Sequence, residues 1–169
     1  HAVAAAVVAG KMYEPIAELS ARVGVFGHGY TYSGHPVACA VASRVLDIYR
    51  RDRLFEHAAT VGEYLQSRLN EFADHPLVGE VRGMGLIAAL ELVANRQTRQ
   101  PFEGNAVGGF CQGRCEAYGL IVRALGGNSI ALCPPLIITE AQVDELVEKL
   151  GRALEDTLSH VAANDLLVD

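Results

Sequence analysis

The stretch from Val25 to Val37 gathers the side chains most able to do chemistry: His28, Tyr30, Thr31, Tyr32, Ser33 and His35, spaced by Gly27, Gly29 and Gly34. The hydroxyls and rings donate hydrogen bonds, and the glycines let the backbone come close to a bound group. Pro36 follows directly, and a proline is well tolerated at the first helical position. The loop therefore feeds a helix start, where unpaired N–H groups and a partial positive charge suit an anion. Composition alone favours a plain structural loop; what the residue types add is a capacity for an anionic ligand. Arg123, taken by its residue type and position, reads as a surface charge on a hairpin. Cys111 and Cys115, one helical turn apart, could join His28 or His35 around zinc, but there is no Cys-x-x-Cys pair. Small buried hydrophobes are the preferred reading, and no metal is assigned.

These candidates need elements to position them. Ala2 to Val8 is a continuous small-apolar run that suits a strand buried on both faces of a parallel sheet. A strand of that kind needs neighbours, and none precedes it, which suggests a piece of something longer. Met12 to Arg22 reads as a short helix and Pro36 to Arg51 as a second one. Asp52 is expected to cap a third, whose stripe of Leu54, Ala58, Val61, Leu65, Leu69 and Phe72 ends at Asp74-His75-Pro76. A domain boundary is placed near residue 52. From Leu77 the period shortens: Val78 and Val81 alternate, Gly83-Met84-Gly85 makes a bend or bulge, and Leu86 to Val93 is an apolar strand.

Residues 95 to 105 read as a surface loop, and Ala106 to Tyr118 as a helix closed by Gly119 in a left-handed conformation. Two short β runs, Leu120 to Arg123 and Ile130 to Cys133, flank the hairpin signal Leu125-Gly126-Gly127-Asn128. Thr139-Glu140-Ala141-Gln142 is a capping box opening the last helix, and residues 160 to 169 look like a frayed tail. The order predicts a remnant of an α/β domain over residues 1–52, a small α+β domain with an antiparallel sheet and helices on one face over 53–160, and a tail over 161–169.

With 169 residues, half of them apolar and a fifth charged, the chain has the composition of an ordinary globular protein. A net charge of −6 offers no basic face to nucleic acid or anionic lipid, so neither partner is expected. The run Ala2 to Ala9 is too short for a membrane span and lacks the flanks of a signal peptide. The four cysteines form no disulfide framework, which fits a cytoplasmic protein.

Three segments together carry a resemblance: residues 28–36, His-Gly-Tyr-Thr-Tyr-Ser-Gly-His-Pro; residues 82–86, Arg-Gly-Met-Gly-Leu; and Arg123 followed by Pro134-Pro135-Leu136-Ile137-Ile138-Thr139. They look like the C-terminal part of a class III aminotransferase, the ω-transaminase branch of the fold type I pyridoxal-phosphate enzymes. The likeness runs from about residue 3 to 158, and the nine-residue loop is its specific element. It implies that Thr31 binds the cofactor phosphate of a neighbouring subunit in a homodimer, with Tyr30 lining that neighbour's substrate pocket. It also implies that Arg123 receives the substrate carboxylate. The parent enzyme would move an amino group from an ω-amino acid or amine to a keto acid such as pyruvate.

The lysine that carries the cofactor, the aspartate against its ring nitrogen and the glycine-rich phosphate loop all precede His1 in that family. Lys11 matches a later position and takes no such role, so no catalytic residue is assigned and the chain alone is expected to be inactive and to retain no cofactor. The reading from a different class is a free-standing α+β interaction or small-molecule-binding module over residues 53–160, with the first fifty residues as an oligomerisation arm.

Overall fold

The computed structural model describes residues 4–168 and divides the chain into two compact units, His1–Asp52 and Arg53–Asp169. In the first, α1 spans Gly10–Val23 and α2 spans Pro36–Arg51. Pro36 occupies the first turn of α2, as its fixed φ and missing donor favour. No residue of either helix is buried. The expected strand over Ala2 to Val8 does not form within its described part: Ala4 to Val8 are exposed and lie outside any strand. A strand buried on both faces requires flanking strands, and among the described residues all strands belong to the second unit.

The second unit opens with α3, Leu54–Asn70, continued by a 3₁₀ turn over Glu71–Asp74. Asp52 does not cap it. The N-cap is Arg53 in the left-handed region, φ 50°, while the Asp52 carboxylate accepts from Arg51 Nε at 2.6 Å and Nη2 at 2.8 Å. Five antiparallel strands follow in the order β1-β2-β5-β4, with β3 also paired to β2: β1 Val78–Met84, β2 Ile87–Asn95, β3 Gln100–Pro101, β4 Arg123–Leu125 and β5 Ser129–Leu132. The stretch expected as loop from 95 to 105 thus contributes a two-residue strand. Helix α4 covers Ala106–Ala117 and α5 covers Glu140–Ala163. Gly119 takes φ 73° just past α4, and Thr139 and Gln142 close a capping box on α5, both as their residue types dictate.

Alternation divides the sheet. Ala88, Leu90 and Leu92 of β2 and Ile130 of β5 face the helices and are almost inaccessible, together with Leu65, Leu69, Cys111, Cys115, Val143, Leu150 and Leu154. Fully burying each large aliphatic among them contributes about 2 kcal/mol. The other face is open around Ile87 and Arg123, although Val93 and Ser129 on it are buried. Its β1–β2 turn is shaped by two glycines: Gly85 has φ 57°, and a Cβ on Gly62 of α3 would come within 2.5 Å of the Gly85 Cα. Gln66 of α3 fixes that turn by donating to the carbonyls of Gly85 and Ile87 at 2.8 and 3.2 Å. The frayed tail expected from residue 160 begins later. Val161 is fully buried on α5, and the Val168 N–H donates to the Ala94 carbonyl at 3.2 Å.

Candidate functional site

The sequence candidates fall in different units: Tyr30 and Thr31 in the first, Arg123 in the second. Residues 31–34 form a turn just ahead of α2. It is closed reciprocally, since the Tyr30 N–H donates to Ser33 Oγ at 3.0 Å and the Ser33 N–H donates to the Tyr30 carbonyl at 2.9 Å. Gly34 supplies the left-handed φ of 70° that brings the chain into the helix. Rings line the approach, with Phe26 and His28 centroids 6.0 Å apart and His28 and Tyr30 edge to face at 5.8 Å. Tyr30 is 79% exposed. His35, the N-cap residue of α2, makes no side-chain cap, so the N–H groups of the first turn keep their capacity to donate. The Thr31 hydroxyl makes no hydrogen bond among the described residues. The arrangement offers a hydroxyl, uncapped amides and a helix dipole to a phosphate, the donor set such a group prefers.

Arg123 stands on β4, on the open sheet face. Ala131 of β5 pairs with it, Ala89 of β2 pairs with Ala131, and Arg82 of β1 pairs with Ala89. Directly paired residues point to one side, so the row Arg82, Ala89, Ala131, Arg123 crosses this face with the two arginines roughly 14 Å apart along the sheet. The two differ sharply in their surroundings. Arg82 Nη1 donates to Glu91 at 2.8 Å and to Glu80 at 3.0 Å, and Nη2 to Ser129 Oγ at 3.3 Å. Arg123 has no acidic partner among the described residues. Both border one depression of about 720 Å³, whose remaining wall includes Ile87, Ile121, Leu125 and Cys133.

The backbone beneath Arg123 is held from α4. Gln112 Oε1 accepts from the Ala124 N–H at 2.8 Å, and Asn105 Oδ1 from the Gly127 N–H at 2.9 Å. Asn128, wholly buried with φ 55°, accepts from the Gly108 N–H at 2.9 Å and donates to the Gly104 carbonyl at 2.8 Å. The hairpin turn therefore uses three residues, Gly126 to Asn128. Cys111 and Cys115 lie in the core, where the hydrogen bond that the Cys115 thiol donates to Cys111, and then burial, push the Cys115 thiol far above its ordinary pKa. A protonated buried thiol suits packing rather than metal ligation. Cys39 and Cys133, by contrast, are exposed.

The profile of the class-III aminotransferases matches residues 2–154. This chain belongs to that family. A putrescine–pyruvate aminotransferase of Pseudomonas aeruginosa is 46% identical over 151 residues, covering 89% of this chain and 33% of its own length. A γ-aminobutyrate transaminase of Solanum lycopersicum is 38% identical over 160 residues, or 94% of this chain and 31% of that protein. The crystal structure of the ω-transaminase from Pseudomonas jessenii, in complex with PMP, superposes with a TM-score of 0.83 at 48% identity, covering 89% of this chain and 33% of that one. The aminotransferase chain thus spans about a third of the length of these relatives. Its small antiparallel sheet backed by helices is the fold expected for this part of a fold type I enzyme.

Two features of the candidate site carry different amounts of signal in the sequence. The Glu80–Arg82–Glu91 cluster had a signal: an i, i+2 pair of opposite charges on one strand, facing a carboxylate across a hairpin turn. The alanine pair between the arginines had none, because β2 and β5 pair across some forty residues of intervening chain. No helix among the described residues is long and apolar enough to cross a membrane.

Proposed function

We propose that this chain supplies two binding elements to a pyridoxal-phosphate-dependent aminotransferase: a phosphate contact at Thr31, with Tyr30 beside it, and a carboxylate contact at Arg123. The observation that carries the reading is the unequal pairing of Arg82 and Arg123, which leaves one guanidinium on the open face available to a ligand. An arginine with no internal carboxylate, beside an apolar depression, offers a bidentate grip to a substrate acid group. The uncapped start of α2 and the unengaged Thr31 hydroxyl fit the cofactor phosphate, and Tyr30 adds a ring at the same turn.

Pyridoxal phosphate, when bound, supplies the electron sink through which the amino group passes. The residues described here bind and orient. Thr31 and Tyr30 would serve the cofactor of a neighbouring subunit in a cytoplasmic homodimer, and Arg123 would hold the acid group of an ω-amino acid donor or of a keto acid acceptor such as pyruvate. Lys149 pairs with Glu145 at 2.6 Å and Lys11 lies in α1; these are the two lysines in the sequence. By the family likeness neither carries the cofactor, so the 169-residue polypeptide is expected to trap none on borohydride reduction.

A chimera tests the reading, with this chain replacing the matching third of the P. aeruginosa relative. Replacing Arg123 by Gln should raise the KM for pyruvate about tenfold or more, since a charge-assisted pair is lost, and leave the KM for a diamine donor nearly unchanged. Replacing Thr31 by Ala should weaken cofactor retention without altering that ratio. An R123Q chimera with unchanged pyruvate KM would overturn the proposal.

A further inference from the structure

The row across the open sheet face contains an anomaly of residue type. β2 and β5 are the inner strands of the order β1-β2-β5-β4, where β-branched and aromatic residues best fill a pleated surface. At the two positions between the arginines the residues are Ala89 and Ala131. Their methyl groups leave the depression open over two strand spacings, roughly 10 Å. Larger side chains border it on either flank: Ile87, 66% exposed, and Ile121, 91% exposed.

Its two ends differ in charge. Arg123 contributes one unpaired positive charge. At the far end Glu80 and Glu91 share the single guanidinium of Arg82, at 3.0 and 2.8 Å, which leaves one net negative charge. A ligand whose acid group sits on Arg123 and whose chain crosses the two methyls therefore meets negative potential at its other end.

Building on the carboxylate role proposed for Arg123, we infer that Ala89 and Ala131 are specificity-determining residues. They admit an unbranched aliphatic monocarboxylate of roughly five carbons, and the Glu80–Arg82–Glu91 cluster turns away a dicarboxylate of the same length. The alanines act by the space they leave. The glutamates act by like-charge repulsion, which low ionic strength strengthens.

The test uses the 169-residue chain labelled with ¹⁵N-arginine, reading the Arg123 Nε–H resonance, assigned by its loss in R123Q, during titration at constant low ionic strength. Pentanoate and glutarate are the probes. Pentanoate should shift the resonance saturably, and glutarate should bind about fivefold more weakly or worse, despite carrying two acid groups. A131V and A89V should each weaken pentanoate by about fivefold or more, while A131S, which keeps the space, binds as the parent does. Each variant should keep the parent's thermal unfolding midpoint to within about 3 °C, reporting an intact sheet. Should pentanoate bind both valine variants as tightly as the parent, or glutarate match pentanoate, the specificity inference fails while the role of Arg123 stands. If neither probe moves the Arg123 resonance in the parent chain, the carboxylate reading falls and the inference with it.

Discussion

His75 shows how one side chain can set the acid limit of a fold. Its ring is 9% exposed and sits between the 3₁₀ turn and β1, with Nδ1 accepting the Leu77 N–H at 3.2 Å. Nε2 is buried without a hydrogen-bond partner, 3.7 Å from a Glu155 oxygen on α5. Burial lowers its pKa from the ordinary value of 6.5, and the Glu155 charge opposes that only partly. The folded state thus prefers the neutral ring, and protonating Nδ1 removes the acceptor of the Leu77 N–H. With the folded pKa depressed, the unfolded chain binds more protons just below 6.5, so stability is full above that pH and declines as pH falls through it. Thermal unfolding between pH 7.5 and 5 should show this decline, and H75N should flatten it. The window lies above the range where Asp156 titrates, its carboxylate held low by hydrogen bonds from Tyr118 and Arg114. An unaltered pH profile in H75N would remove His75 as the cause. The sequence marked His75 only as part of a helix stop. Its burial depends on α5, eighty residues away, and no local pattern carries that.

At the scale of elements, the β4–β5 hairpin is anchored by the buried Asn128 amide as well as by the apolar face of Ile130 and Leu132. Asn128 satisfies Gly108 N–H and Gly104 C=O at once, and its own backbone lies in the left-handed region that asparagine tolerates. N128A should therefore leave two backbone groups unpaired and add strain, costing about 2–4 kcal/mol in urea unfolding. N128D, which keeps the acceptor for Gly108, should recover part of that loss. A cost within about 0.5 kcal/mol would mean that water replaces both bonds. What was legible here follows from the range of the forces. The capping box at Thr139 and Gln142 closes within four residues and appears where composition put it, and the hairpin turn falls within Leu125-Gly126-Gly127-Asn128, although β4 starts at Arg123 rather than Leu120 and takes in Leu125. The side chain of Asn128 reaches a helix twenty residues back, so its role waited on the fold. The strand expected from the apolar run at the start of the chain failed for the same reason, because β pairing requires a partner that composition does not name.

Across the whole molecule the two units differ in what they can bury. Residues 53–169 enclose a continuous core of α3, α4 and α5 against the sheet, whereas no residue of α1 or α2 is buried and Val23, Val25, Phe26, Tyr30 and Tyr32 are each more than 60% exposed. Helices of 14 and 16 residues with no buried face are marginal in water, since most helical stability in proteins comes from packing an apolar stripe. Exposed apolar surface on that scale favours association. The chain should therefore self-associate in the micromolar range through residues 10–51, read as a concentration-dependent sedimentation coefficient. Amide exchange in α1 and α2 should be fast in dilute solution and slow as the chain associates, while β2 and α5 stay protected throughout. A chain truncated to residues 53–169 should keep its cooperative unfolding and lose the association. A dilute monomer with α1 and α2 as protected as α5 would show that these helices draw their stability from within the chain, and the burial pattern would then have misplaced the source of order in the first unit.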